Sequence, residues 1–136
     1  MDKKYEILEH KADLKIKAFG KTKEELFKNM LLGMVKSQKP EIKGKGKTKR
    51  EIKIKSVDLA TLLVDFLNEI LYLNQVNKEI YFKVKFEKFT NNEIKAELTG
   101  QRVKRFGEDI KAATYHNLEI KQNKNKNWEG IVLFDI

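Results

Sequence analysis

The sequence predicts an α+β domain: a mixed, largely antiparallel sheet of about six or seven strands, with two helices packed on one face. Three observations carry this expectation. Two segments with apolar residues at helical spacing lie in the first half. From Lys78 onward an apolar/polar alternation of period two takes over, and clusters of Asn, Gly and Lys interrupt its runs. The length, 136 residues, is that of about one ordinary domain, so residues 1–136 are read as one unit.

Tyr5 to Leu8 and Leu14 to Phe19 read as short strands, the second placing Leu14, Ile16 and Ala18 on one face and Lys15 and Lys17 on the other. The polar joint Glu9-His10-Lys11-Ala12-Asp13 separates them. After Gly20, Thr22 stands at an N-cap position with Glu25 three residues on, the pattern of a capping box. Leu26, Phe27, Met30, Leu31 and Met34 follow at helical spacing, which predicts a first helix over about Lys23 to Lys36. Ser37 to Arg50 holds the only proline, Pro40, and the alternation Lys43-Gly44-Lys45-Gly46-Lys47, and is expected to be a mobile basic loop. Glu51 to Lys55 reads as a third strand. Asp58 then opens a strongly apolar helix carrying Leu59, Leu62, Leu63, Phe66, Leu67, Ile70 and Leu71, expected at the centre of the core.

In the second half, Ile80 to Phe86, Ile94 to Leu98, Ile110 to Ile120 and Ile131 to Phe134 alternate as strands. Asn91-Asn92 and the segment Gln122 to Asn127 supply tight turns, and Gly100 to Glu108 reads as a looser connection. Trp128 is expected as an aromatic lid on the core edge.

With 40% hydrophobic residues the chain can bury a core despite 36% charged ones. Its 29 Lys+Arg against 20 Asp+Glu leave a net charge of +9, which favours acidic partners. Only Arg50, Arg102 and Arg105 supply the planar fork suited to bidentate readout, so the charge suits steering better than sequence recognition. Cysteine is absent, which excludes disulfides, thiolate zinc sites, iron–sulfur clusters and thiol nucleophiles. The N-terminus carries no apolar signal region and no apolar run reaches the roughly 20 residues of a membrane span, so a cytoplasmic protein with no membrane partner is expected.

Familiar catalytic templates fail: there is no GxSxG elbow, no HExxH helix and no glycine-rich phosphate loop between a strand and a helix. The chain finishes on Phe134-Asp135-Ile136, an apolar strand running straight into carboxylates. Such a strand is expected to be central, holding Asp135 and the terminal carboxylate near the rim of the sheet. If Asp13 lies at that rim, the repulsion among the three groups is relieved by protonation or by a hard cation such as calcium or magnesium. Turn capping by Asp13 and a solvated strand end at Asp135 are the alternative. Lys111 and His116 interrupt an alternating strand; Lys111 is a candidate cationic partner for the carboxylates. Asp65, Asn68 and Glu69 form a polar stripe on the second helix, which solvent exposure explains equally well.

Four separated motifs in order, Leu8-Glu9-His10-Lys11-Ala12-Asp13, Leu62 to Leu73, Ile110-Lys111-Ala112-Ala113-Thr114-Tyr115-His116 and Phe134-Asp135-Ile136, resemble the archease family over nearly the whole chain. The resemblance implies a small α+β accessory protein, not itself an enzyme, that activates the tRNA-splicing RNA ligase RtcB by promoting its guanylylation and multiple turnover. It implies a metal site of Asp13, Asp135 and Ile136 through its carboxylate, with calcium the usual ion and magnesium or another divalent cation possible. It makes Lys111 the functionally important lysine and sets His10 and His116 in the same partner-facing motifs. RNA would be met indirectly, through the ligase. Two departures from the family pattern stand out: Lys11 follows His10 where threonine is common, and the histidine many members carry shortly before the lysine is missing.

Two competing readings remain. The basic composition and the loop around Lys45 fit a non-specific RNA-binding module working through lysine–phosphate contacts. A carboxylate cluster fits, more weakly, an independent metal hydrolase.

Overall fold

A computed structural model describes residues 3–9 and 13–136. The element order is β1 (Tyr5–Glu9), β2 (Asp13–Gly20), α1 (Lys23–Gln38), β3 (Pro40–Ile42), β4 (Thr48–Lys55), α2 (Leu59–Asn77), β5 (Glu79–Phe89), β6 (Glu93–Phe106), β7 (Ala112–Gln122) and β8 (Trp128–Asp135). The class is α+β, as the sequence pattern predicts, and every ladder is antiparallel. The strands divide into two sheets. The first has the order β1-β2-β8-β7; in the second, β6 is central, with β5 along one edge and β3 and β4 sharing the other.

Helix α1 lies against β1, β2 and β8 and also touches β5, while α2 lies against β7 and against β4, β5 and β6. Each helix therefore meets both sheets, and α2 is buried on several sides: Leu62, Leu63, Val64, Phe66 and Leu67 are all fully enclosed. A helix apolar over so much of its circumference has to be covered on more than one face. Phe27 of α1, Phe66 of α2 and Phe86 and Phe89 of β5 form a ring cluster with centroids 4.9–5.9 Å apart, joining both helices to the second sheet.

The helix caps follow the sequence. Thr22 Oγ1 accepts the Glu25 N–H at 3.1 Å, and the Glu25 carboxylate reaches back to the N–H of Lys21. Asp58 accepts the N–H of Thr61 at 2.8 Å, and this bond holds its carboxyl below the usual range.

Two expectations fail. Ser37 to Arg50 is not one long loop: α1 runs on to Gln38, Lys39 caps it in the left-handed conformation, and Pro40 starts β3, leaving only residues 43–47 between strands. Proline is tolerated there because β3 lies at a sheet edge and needs no second set of ladder bonds. Gly100 to Glu108 is not a loose connection either, since β6 runs unbroken to Phe106. Gly100 is required inside it: an added Cβ would sit 1.9 Å from the Ile80 carbonyl oxygen of the neighbouring strand.

Candidate carboxylate site

Strand β8 is inserted between β2 and β7, so the most apolar C-terminal segment is central, with Val132 and Phe134 fully buried. Its register sets the site. Leu14 faces Phe134 across the β2–β8 ladder and both are buried; one step further Asp13 faces Asp135. Directly opposed residues project on the same face with Cβ atoms about 4.5–5.5 Å apart, a spacing at which like charges repel.

Asp13 is half-buried, and its Oδ1 atom is enclosed with no hydrogen-bond partner among the described residues. An enclosed acceptor left unpaired costs about 1–3 kcal/mol. Asp13 and Ile136 line one cavity of about 330 Å³ with an apolar floor of Ile7, Leu14 and Ile110. Lys36 and Lys39 from the end of α1, with Glu108, edge the same cavity.

Asp135 is exposed, and its carbonyl oxygen accepts the backbone N–H of Lys111 at 2.8 Å. Lys111 thus sits at this rim, exposed, one residue before β7. His116 lies further along that strand, in a bulge where residues 115–118 stand between the pairs Thr114–Leu133 and Glu119–Ile131. Asn117 takes a positive φ of 53° there, and the His116 N–H donates to Thr114 Oγ1 at 3.3 Å. His10 lies outside the described residues, as do Lys11 and Ala12.

The polar stripe of α2, equally explicable by exposure, is tied to β7. Ala113 and Asn68 exchange two hydrogen bonds. The Tyr115 hydroxyl and Ser56 Oγ each donate to Asp65 at 2.5 Å, and the bond to Asp65 raises the affinity of the Tyr115 phenol for its proton. Helical spacing signalled that Asp65 and Asn68 share a face, but not that an edge strand would lie under it. Lys36, Lys39 and Glu108 carried no signal, because they are brought to the cavity by the turn into β3 and the exit from β6.

Two opposed aspartates, one with an enclosed oxygen that has no partner among the described residues, and Ile136 beside Asp13 in the same cavity offer oxygen donors of the kind suited to a hard divalent cation. Among the described residues no group of three His, Cys, Asp or Glu side chains gathers, so further ligands would come from the main chain or water. On these grounds the residues fit calcium or magnesium and do not fit a soft metal.

The sequence model of the Archease protein family matches residues 5–136. The chain is similar to Protein archease of Methanosarcina mazei, with 39% identity covering 98% of this chain and 97% of that protein. It is also similar to Protein archease of Thermococcus kodakarensis, at 32% identity over 93% and 94% of the two chains. Two solved structures share the fold. One is the solution structure of protein 1598 of Methanobacterium thermoautotrophicum, with a TM-score of 0.68 at 23% identity, covering 97% of this chain and 98% of that one. The other is the crystal structure of an archease, described as a possible chaperone, from Thermotoga maritima, with a TM-score of 0.67 at 21% identity, covering 95% and 94%. No helix among the described residues is long and apolar enough to cross a membrane.

Proposed function

The chain belongs to the archease family, and from that premise we propose that it is a non-catalytic cytoplasmic activator of the RNA ligase RtcB. It promotes guanylylation of the ligase and its multiple turnover in tRNA splicing. The observation that carries the reading is the opposition of Asp13 and Asp135, with Asp13 Oδ1 enclosed and without a hydrogen-bond partner among the described residues.

Asp13, Asp135 and the terminal carboxylate of Ile136 would hold a divalent cation, calcium first and magnesium as the alternative. The bound ion supplies positive charge that relieves the repulsion between the carboxylates and fixes the rim. Asp13 contributes the enclosed oxygen, and Asp135 links the site to Lys111 through its carbonyl. Lys111 offers an exposed point charge to the partner. His116 and His10 belong to the partner-facing motifs, His116 on the β7 bulge. An activator of this kind works only if the surface binds the reactive arrangement of the ligase more tightly than its resting one.

Multiple-turnover RNA ligation by the cognate ligase, with and without this protein, tests the reading. Stimulation is expected from the wild type and is expected to be lost in Asp13→Ala, Asp135→Ala and Lys111→Ala. Stimulation unchanged in all three removes the assigned site, and no stimulation by the wild type removes the function.

A further inference from the structure

The short connection between β3 and β4 forms a second charged surface, separate from the carboxylate rim. Lys43, Lys45 and Lys47 are exposed on it, and Arg102 borders the same hollow as Lys43 and Lys47. Among the described residues none of these four cations lies within 4.0 Å of a carboxylate. The nearest candidate in the ladder, Glu79, faces Arg102 but is already used: its oxygens are held by the Arg50 guanidinium at 2.9 and 3.0 Å and by the Tyr81 hydroxyl at 2.7 Å. The patch is therefore net positive and carries no ion pair of its own among the described residues.

The backbone of the connection is equally open. The Lys43 N–H donates to Arg102, but the N–H groups of residues 44–47 have no intramolecular acceptor among the described residues. Gly44 has a φ of 73°, which glycine adopts at no cost. Gly46 has neither a positive φ nor any atom within 4 Å of an added Cβ, so neither packing nor conformation demands glycine there. A bare backbone beside lysines, with free N–H donors, is the arrangement that receives phosphate oxygens.

We propose that residues 43–47, with Arg102, form a direct contact surface for the phosphate backbone of single-stranded RNA. The choice of RNA as the polyanion rests on the ligase-activator reading; the patch itself does not. An anionic membrane is disfavoured because Ile42 is the one exposed large apolar side chain beside the patch, too little to insert. The placement suits a substrate shared with the ligase: Lys39 edges the carboxylate cavity and Lys43 begins the basic connection, four residues apart across β3 and so roughly 13 Å along an extended chain. RNA on the patch would run past the rim proposed to meet the ligase.

The test uses the full chain without ligase and a fluorescently labelled single-stranded RNA oligonucleotide, with anisotropy followed from about 50 to about 200 mM salt. The triple variant Lys43→Gln/Lys45→Gln/Lys47→Gln is compared with Lys53→Gln/Lys55→Gln/Lys85→Gln, which removes the same charge elsewhere. The wild type is expected to bind at low salt. The loop triple is expected to lose at least tenfold in affinity, and its salt slope should fall by about 0.7 per lysine removed, about 2 in all. The control triple is expected to stay within about threefold, the scale of long-range steering alone. Arg102→Gln, outside the connection, gives a second reading with an expected slope loss of about 0.7. No RNA binding at low salt, equal losses in both triples, or tighter binding to phosphatidylserine vesicles than to RNA would overturn the proposal. Ligase stimulation by Asp13→Ala reports on the other site, so the two readings fail separately.

Discussion

The side-chain amide of Asn68 on α2 takes the place of a missing neighbour for Ala113 on β7: the Ala113 N–H donates to Asn68 Oδ1 at 2.8 Å, and Asn68 Nδ2 donates to the Ala113 carbonyl at 3.0 Å. Strand β7 is an edge of its sheet, where unpaired backbone groups invite pairing with other chains. One helix residue blocks that edge two positions beyond Lys111. Asn68→Ala should therefore destabilise the fold by about 1–3 kcal/mol in a denaturant titration, since both backbone groups lose partners. Asn68→Asp keeps the acceptor for the Ala113 N–H but turns a carboxylate oxygen toward the Ala113 carbonyl, so a loss is expected there too. Equal stability of Asn68→Ala and wild type would show that water replaces the amide at no cost.

Asp13→Asn should act with opposite sign in the absence and presence of calcium. Without the ion it removes a like-charge pair and should raise stability by about 0.2–1 kcal/mol. With calcium at a hundred times its dissociation constant the wild type should gain about 2.7 kcal/mol, and the variant should not. Extending the chain past Ile136 converts the carboxylate proposed as a ligand into an amide and should weaken the calcium increment. Thermal unfolding with calcium or a chelator measures both; an increment unaffected by either change would exclude these ligands.

The Arg50–Glu79 pair predicts the acid limb of stability. Glu79 is 1% exposed, and the Arg50 guanidinium, foremost through its hydrogen bonds, holds its carboxyl below the ordinary value of 4.5. A group depressed on folding stabilises fully above its unfolded value, so this contribution is complete above pH 4.5 and is lost as pH falls below it. Burial, the main cause, pushes the Tyr81 phenol up to about 12, so it stays a neutral donor to Glu79 throughout. Glu79→Ala should cost about 2–3 kcal/mol, less than a fully enclosed pair because Arg50 can turn to water. Its stability should also vary less than that of the wild type between pH 5 and pH 3; an unchanged acid dependence would assign the acid limb to other carboxylates.

Gly100→Ala sets β6 against β5. The added Cβ would meet a main-chain carbonyl, which cannot rotate away, so a loss of about 3 kcal/mol or more is expected by calorimetry. Gly46→Ala, with open space around it, should change stability by less than about 0.5 kcal/mol.

Much of the architecture was legible because it rests on period and local chemistry. Thr22 and Asp58 cap the helices as their spacing announces, and the alternation Leu14, Ile16, Ala18 faces the core. The apolar run ending at Phe134 proved central, which required only that it be too hydrophobic for an edge. Strand β3 was missed because three residues around a proline show no alternation; only the extra length of β6 makes a partner for them. That Asp13 could share a rim with Asp135 was readable only as a condition, beside turn capping and a solvated strand end; the register that opposes them comes from the β2–β8 pairing. The cavity beside them was not readable, since it forms only where the end of α1, with Lys36 and Lys39, meets Glu108 at the exit from β6. The partners of Asp65 and Asn68 were hidden for the same reason: a helix pattern reveals a face and not what lies against it.

The insertion of β8 between β2 and β7 has a consequence for biogenesis. The second sheet is assembled from one continuous stretch, β3 to β6, and can pair as it leaves the ribosome. The first sheet cannot: β2 waits for a neighbour encoded more than a hundred residues downstream, and until it arrives the buried side of α1 lacks part of its cover. The nascent chain therefore carries a half-built apolar layer from the time β2 emerges until β8 has been made and closes it.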